Sequence, residues 1–390
     1  MPQFTCAWAF PRQFENLVLM QRIIPGGQYR SADCVIVNTS LKFQKELPHA
    51  HSKWRASIQR SNDLETQEFR WGILGLGRIS HKFAIGLQST PGATIAAVGS
   101  RSKEKAVEFG KEFSADRCHG SYADLAADPE VDAIYIGTPH PMHHEDTLLC
   151  LRAGKAVLCE KPFTINAKQA EELVAESRNS GVFLMEAMWT RYLPTFVRLR
   201  ELVNSGAIGE VRQVQADFGF RTGLDPEGRL FKLELGGGSL LDVGVYPVSL
   251  SSMLLGKPTE IKSFANLGST GVDEEAAILM THEGGRLAVL TSAIRLTTPH
   301  FARVLGTEGS ITVPPAWWCA TGLTLSKDGK DETIDLPLVG NGYNYQAEEV
   351  QRCVRAGAIE SSTMPHAETL EIMRTLDTIR GQWGLKYPGE

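Results

Sequence analysis

The chain has 390 residues, with 40 Lys and Arg against 45 Asp and Glu, a formal net charge of −5 and 42% hydrophobic residues. That length suggests two or three domains with sizeable cores, and the mildly acidic balance argues against nucleic acid or an anionic membrane as the main partner. The seven cysteines, Cys6, Cys34, Cys118, Cys150, Cys159, Cys319 and Cys353, are scattered and never form a C-x-x-C pair. This fits reduced thiols in an intracellular, cytoplasmic protein better than a disulfide framework or a zinc site. No apolar run approaches the ~20 residues that span a bilayer. Residues 1–68 precede the first recognisable strand and read as an extension, disordered or targeting. Between Met1 and Arg60 they carry eight Lys or Arg against Glu15, Asp33 and Glu46, a positive bias like that of an organellar peptide but with poor amphipathic periodicity.

The stretch Arg70-Trp-Gly-Ile-Leu-Gly-Leu-Gly-Arg-Ile-Ser80 reads as a buried strand entering a glycine turn. Gly75 lets the chain reverse, and Gly77, without a Cβ, lets a pyrophosphate approach the amide groups that open the next helix, near Arg78 and Ile79. Ser80 replaces the third glycine of G-x-G-x-x-G and is small enough to pack between helix and strand. A second strand, Thr94 to Ser100, completes a βαβ unit within the expected ~30 residues. It ends in Ser100-Arg101-Ser102-Lys103, where an NAD site carries an acid for the ribose 2′-hydroxyl. A guanidinium and a hydroxyl suit a 2′-phosphate instead, so the expected cofactor is NADP; the alternative is a solvated Arg101.

Helices are expected over Lys103 to Ser114 and Tyr122 to Ala127, then a buried strand, Val131 to Gly137, of the kind found in parallel sheets. It delivers Thr138-Pro-His140-Pro-Met-His143-His144 to the edge of the sheet where ligands bind. The histidines lack the spacing and partners of a metal site, so none is expected. The strand Lys155 to Cys159 delivers Glu160-Lys161-Pro162 to the same edge, where Pro162 ends the ladder and Lys161 faces the crevice; a surface Lys-Pro is the alternative. A helix over Asn166 to Ser180 and a strand over Val182 to Met185 complete a first domain, 69–188. Glu186 to Pro194 forms an aromatic crossover, with Trp189 and Tyr192 as pocket wall or core.

The second domain, 189–390, is β-rich. Strands are expected over Gly209 to Gly219, Ile261 to Leu267, Ala276 to Thr281, Arg286 to Ala293 and Phe301 to Gly306, in a mostly antiparallel sheet. Helices are expected near Ser239 to Leu255, Tyr345 to Arg355 and Ala367 to Gln382. The first carries Gly236-Gly-Gly-Ser-Leu-Leu-Asp242-Val-Gly-Val-Tyr246-Pro247, in which a helix places Asp242 and Tyr246 on one face and Pro247 kinks it.

Taken together, Gly75 to Ser80, Gly137 to His143, Leu158 to Pro162, Leu184 to Arg191, Gly236 to Tyr246 and Tyr345 to Cys353 resemble the glucose–fructose oxidoreductase and inositol dehydrogenase family. Within it, Tyr rather than His at position 246 resembles the dihydrodiol and D-xylose dehydrogenase branch. The resemblance implies an α/β protein, a Rossmann domain followed by an α+β domain whose open sheet pairs two subunits. It places Lys161, Asp242 and Tyr246 beside the nicotinamide as catalytic candidates. The cofactor-binding candidates are Gly75, Gly77, Arg78, Ile79, Ser100, Arg101, Thr138, His140, Glu160 and Lys161; the substrate-binding ones are His143, Trp189, Arg191 and Tyr246. The implied reaction is NADP-dependent oxidation of a sugar or diol. Tyr246 is the expected base, with charged Lys161 favouring its phenolate and Asp242 orienting the pair. A cofactor-sensing regulator and an enzyme for another sugar or cyclitol are the alternatives.

Overall fold

The computed structural model describes residues 68–390 and two short strands, β1 (Leu19–Gln21) and β2 (Cys34–Ile36), which pair antiparallel. The remainder of the extension lies outside the described residues. Residues Met1–Leu64 and Glu65–Glu390 are separate compact units, and everything below concerns the second.

Its first half is built on β3 (Phe69–Leu74), β4 (Ala93–Gly99), β5 (Arg117–His119), β6 (Ala133–Ile136), β7 (Ala156–Glu160) and β8 (Leu184–Ala187). All pair parallel, in the order β5-β4-β3-β6-β7-β8. The order reverses between β3 and β6, which opens a ligand crevice at the carboxyl ends of those strands. β6 and β7 are buried throughout, which is why they read as unbroken apolar runs. The crossovers are α1 (Arg78–Leu87), α2 (Lys103–Phe113), α3 (Tyr122–Ala126), α4 (His143–Arg152) and α5 (Ala167–Ser180). Ser102, Ser121 and Asn166 cap α2, α3 and α5 by accepting from amides three residues on, so these boundaries were readable from local chemistry. The last strand runs from Leu184 to Ala187, two residues later than expected at each end, and so contains Glu186.

The second half adds α6 (Pro194–Asn204), β9 (Val211–Gly219), α7 (Val245–Leu255), β10 (Pro258–Leu267), β11 (Asp273–His282), β12 (Arg286–Ala293), β13 (Ala302–Gly306), β14 (Gly309–Val313), β15 (Gly322–Lys327), β16 (Lys330–Asp335), α8 (Asn344–Arg355) and α9 (His366–Gly381). Its strands form one sheet, β10-β11-β12-β9-β13-β14-β15-β16, antiparallel at every pairing except β12 with β9. Helices α7 and α9 pack on it. The single helix expected over Ser239 to Leu255 is two pieces, a π-helical turn over Leu240–Gly244 and then α7. Pro247 lies in the first turn of α7, where it has no N–H to give the preceding turn and its ring crowds the carbonyl four residues back, so the ladder is widened there. Helix α6, β5 and β14 to β16 were not anticipated. The stretch Leu233–Leu255 is long and apolar enough to cross a membrane by composition, but 83% of its apolar window is buried in this fold.

The halves are tied together. The Ala167 amide donates to Asp377 at 2.8 Å, Arg374 pairs with Glu171 at 2.6 Å, and the Asn341 side-chain amide donates to the Lys82 carbonyl at 2.7 Å. At the crevice of the first sheet, the second half contributes Arg229 and Asp242 to the lining.

Candidate active site

The turn after β3 is shaped by contact. Gly75 has φ +81°, and a Cβ there would stand 2.5 Å from Thr138 Cγ2, so only glycine fits against the loop after β6. Gly77 is the residue before α1, with nothing nearer its missing Cβ than the Gly137 carbonyl at 3.9 Å, and Gly77, Arg78 and Ile79 line the cleft. Ser80 fills the third small position: it is fully buried and its hydroxyl donates to the Gly75 carbonyl. All ten cofactor-binding candidates line one cleft of about 650 Å³ that starts at this turn. Lys105 and Tyr122 join Arg101 at the end beyond β4, and neither was anticipated.

At the other end Lys161 follows β7, before a cis peptide to Pro162. Its ammonium donates to the Asp242 main-chain carbonyl at 2.7 Å and lies 3.9 Å from the Asp242 carboxylate and 5.0 Å from the centre of the Tyr246 ring. The same Asp242 oxygen receives Arg229 at 2.7 Å. Burial alone would raise the Asp242 carboxyl, but the charges of Lys161 and Arg229 overcome it and hold the group at about 2. The π-helical turn and α7 therefore bring Lys161, Asp242 and Tyr246 together, and Arg229, from a loop with no periodicity, joins them.

The electrostatics of Tyr246 differ from the expectation. Lys161 stands over the face of the ring instead of at the hydroxyl. Burial, followed by the negative charges of Glu160 and Asp242, pushes the phenol well above its ordinary value. Its oxygen accepts from Trp189 Nε1 at 3.0 Å, which leaves its own O–H to be donated elsewhere. A phenolate favoured by Lys161 is thus not what this geometry supports. Around the ring is an aromatic wall that was missed apart from Trp189: Trp189 stacks on Tyr343 at 4.5 Å, and Phe218 stacks on Trp318 at 3.4 Å and lies 5.4 Å from Tyr246. Pairs so distant in sequence leave no local signal.

Two substrate candidates have polar atoms engaged within the protein. His143 is fully buried, and its ring nitrogens face the Pro162 and Thr138 carbonyls, each at 2.9 Å. Burial lowers its basicity, so the neutral ring donates to one of these carbonyls at a time, and the residue also lines the cleft. Arg191 is 2% exposed and donates to the Ser249 hydroxyl at 3.0 Å, the Ser249 carbonyl at 2.9 Å and Glu368 at 2.6 Å; it pins the crossover to α7 and α9. His140 is pushed down to about 3 by burial and by neighbouring His143, so it is neutral, and its Nδ1 faces the Gly236 carbonyl at 3.3 Å. Glu160 is raised by burial and accepts from the Tyr135 hydroxyl at 2.6 Å. Among the described residues no group of three or more His, Cys, Asp or Glu could hold a metal ion.

A dinucleotide-type turn opening a cleft that ends in a lysine and a carboxylate, with a tyrosine ring against the lysine, defines an oxidoreductase of the Rossmann class. The chain belongs to the GFO/IDH/MocA family: the model of the oxidoreductase family with an NAD-binding Rossmann fold matches residues 69–188, and that of the GFO/IDH/MocA C-terminal domain matches 196–312. It is 39% identical over 330 residues to trans-1,2-dihydrobenzene-1,2-diol dehydrogenase of Danio rerio, and 37% identical over 331 residues to that of Homo sapiens, in each case over 82% of this chain and 98% of the relative. Among solved structures it is similar to an aldose-aldose oxidoreductase from Caulobacter crescentus complexed with glycerol (TM-score 0.76, 25% identity, 82% of this chain and 99% of that one). A 3-ketoreductase from Actinomadura kijaniata, in complex with NADP and TDP-benzene, gives TM-score 0.73 at 26% identity over 81% and 98% of the two chains.

Proposed function

We propose that the chain is an NADP-dependent dehydrogenase that oxidises a secondary alcohol, a trans-dihydrodiol or an aldose such as D-xylose at C1. The observation that carries this reading is the convergence of Lys161 and Asp242 at the inner end of the cofactor cleft, with the Tyr246 ring 5.0 Å from the Lys161 ammonium. The residues present fit the dinucleotide: the glycine turn and the start of α1 line the cleft where a pyrophosphate would lie, and Arg101 and Lys105 offer cations beyond β4. When bound, the nicotinamide supplies the acceptor or donor of the hydride.

The chain's own residues handle the proton and the oxygen. The Tyr246 hydroxyl, kept protonated by its surroundings, donates to the reacting oxygen and orients it. In reduction the Lys161 ammonium stabilises the alkoxide and gives it a proton; in oxidation Lys161 first releases a proton to solvent, and the amine so formed takes the proton of the alcohol. Asp242 and Arg229 fix the position of Lys161. The aromatic wall of Trp189, Phe218, Trp318 and Tyr343 suits the apolar face of a ring. A panel of trans-dihydrodiols, aldoses and cyclitols with NADP⁺, followed by the near-ultraviolet absorbance of the reduced cofactor, tests the assignment. Tight cofactor binding without turnover of any member would favour a sensor.

The same reading includes a homodimer. Phe264, 82% exposed, and Leu279, Leu287 and Val289 lie on one face of β10 to β12. The register pairs Leu279 with Val289 and Phe264 with Ala277, so alternation puts all four on the same side. A second copy of this sheet is the proposed occupant.

A further inference from the structure

On the opposite side of that sheet, at the start of β11, Asp273 is completely buried. One of its carboxylate oxygens accepts from the Ser239 hydroxyl at 2.8 Å and from the Leu240 amide at 2.7 Å. Ser239 is held in turn by Ser292 of β12, at 2.8 Å between hydroxyls. These bonds clamp the N-terminal end of the helical stretch formed by the π turn and α7, where amides lack partners inside the helix and the backbone dipoles favour an anion. Asp242 and Tyr246 stand three and seven residues beyond Ser239 on that stretch.

The third glycine of the Gly236-Gly-Gly238 run has its explanation here as well. Gly238 has φ +111°, and a Cβ would lie 2.2 Å from the other Asp273 oxygen; no side chain could pass this carboxylate. That second oxygen has no hydrogen-bond partner. Burial raises the Asp273 carboxyl to about 7, against the two bonds it accepts, a cost that an ordinary core residue at the same place would avoid.

We propose that Asp273 is a positioning residue that sets the height and rotation of the catalytic helix, so that Asp242 meets Arg229 and Lys161 and Tyr246 meets Trp189. The inference rests on the reading that Asp242 and Tyr246 flank the reacting carbon. It predicts a loss of rate with no loss of cofactor binding, since Asp273 lines no part of the cofactor cleft.

The test compares Asp273→Asn, which keeps an acceptor oxygen for both bonds, with Asp273→Ala, which keeps none. For the Ala variant kcat is expected to fall by up to about 100-fold, the cost of roughly an ångström of misplacement, while the NADPH dissociation constant from protein fluorescence stays within about 2-fold. The Asn variant is expected to recover most of the lost kcat. If Asp273→Ala fails to fold, Ser239→Ala decides: it removes one donor to the carboxylate, and kcat is expected to fall several-fold with KM and cofactor binding unmoved. A lower melting temperature with wild-type kcat per folded molecule in the variant measured would overturn the inference. Wild-type kcat in Asp242→Asn and Tyr246→Phe would instead overturn the reading of the site beneath it.

Discussion

Lys161 makes its short contact with a main-chain oxygen and lies 3.9 Å from the Asp242 carboxylate, so it is held in place without being locked in a contact ion pair. This separates its role from that of Tyr246. Lys161→Met is expected to lower kcat by about 10²–10⁴, the range of a lost acid–base group. Tyr246→Phe removes one hydrogen bond and leaves Trp189 Nε1 without an acceptor, which at about 1–3 kcal/mol corresponds to roughly 10–100-fold. Steady-state kinetics on both variants, with NADPH binding measured separately, checks the order; a larger loss in Tyr246→Phe would restore the tyrosine as base. At the far end of the cleft, Arg101→Ala is expected to weaken NADP⁺ by about 10-fold or more, on the ~1.5–3 kcal/mol of a charged hydrogen bond, and NAD⁺ little. Equal losses for the two cofactors would remove the 2′-phosphate assignment.

At the scale of elements, what could be read in advance was what is local. The strand β3, its glycine turn and α1 follow from one apolar run and three small residues, and the serine and asparagine caps mark three helix starts. The π-helical turn was not legible as such, since its sequence is that of a buried apolar helix and only Pro247 hinted at a disturbance. Arg229 was not legible at all: it sits in an irregular loop and gains its meaning from Asp242, 13 residues on. That contact gives a prediction for the loop and helix together. The Asp242 carboxyl is held at about 2 in the folded protein, below an unfolded value of ~3.9. The stability it contributes is therefore complete above the unfolded value and lost as pH falls through about 2. Arg229→Gln removes one of the two cations responsible, so the folded carboxyl is expected to move upward and the acid loss to begin at higher pH. Because the guanidinium is 42% exposed, the effect on neutral-pH stability is discounted to about 1 kcal/mol. Urea unfolding of both proteins between neutral and acid pH measures the difference; identical pH dependence would show that Arg229 does not share the carboxylate.

For the whole molecule, the second sheet works on both faces. One face holds the π-helical turn and α7 through Asp273 and Ser292, while the other presents Phe264, Leu279, Leu287 and Val289 to solvent in a single subunit. Large apolar side chains grouped on the outer face of paired strands are a liability unless something covers them, and a symmetric copy of the same face does so without a second specialised surface. Leu279→Glu places a charge beside Val289, its cross-strand partner, and on the face that the copy would cover. Light scattering is expected to give the dimer mass for the wild type and the monomer mass for this variant, with far-ultraviolet circular dichroism unchanged because the position is 57% exposed. The variant's kcat then reports whether the catalytic helix depends on the assembly, since the strands that hold it are the strands the copy would brace. A Leu279→Glu protein with the wild-type mass would mean that this face is not where the copies meet.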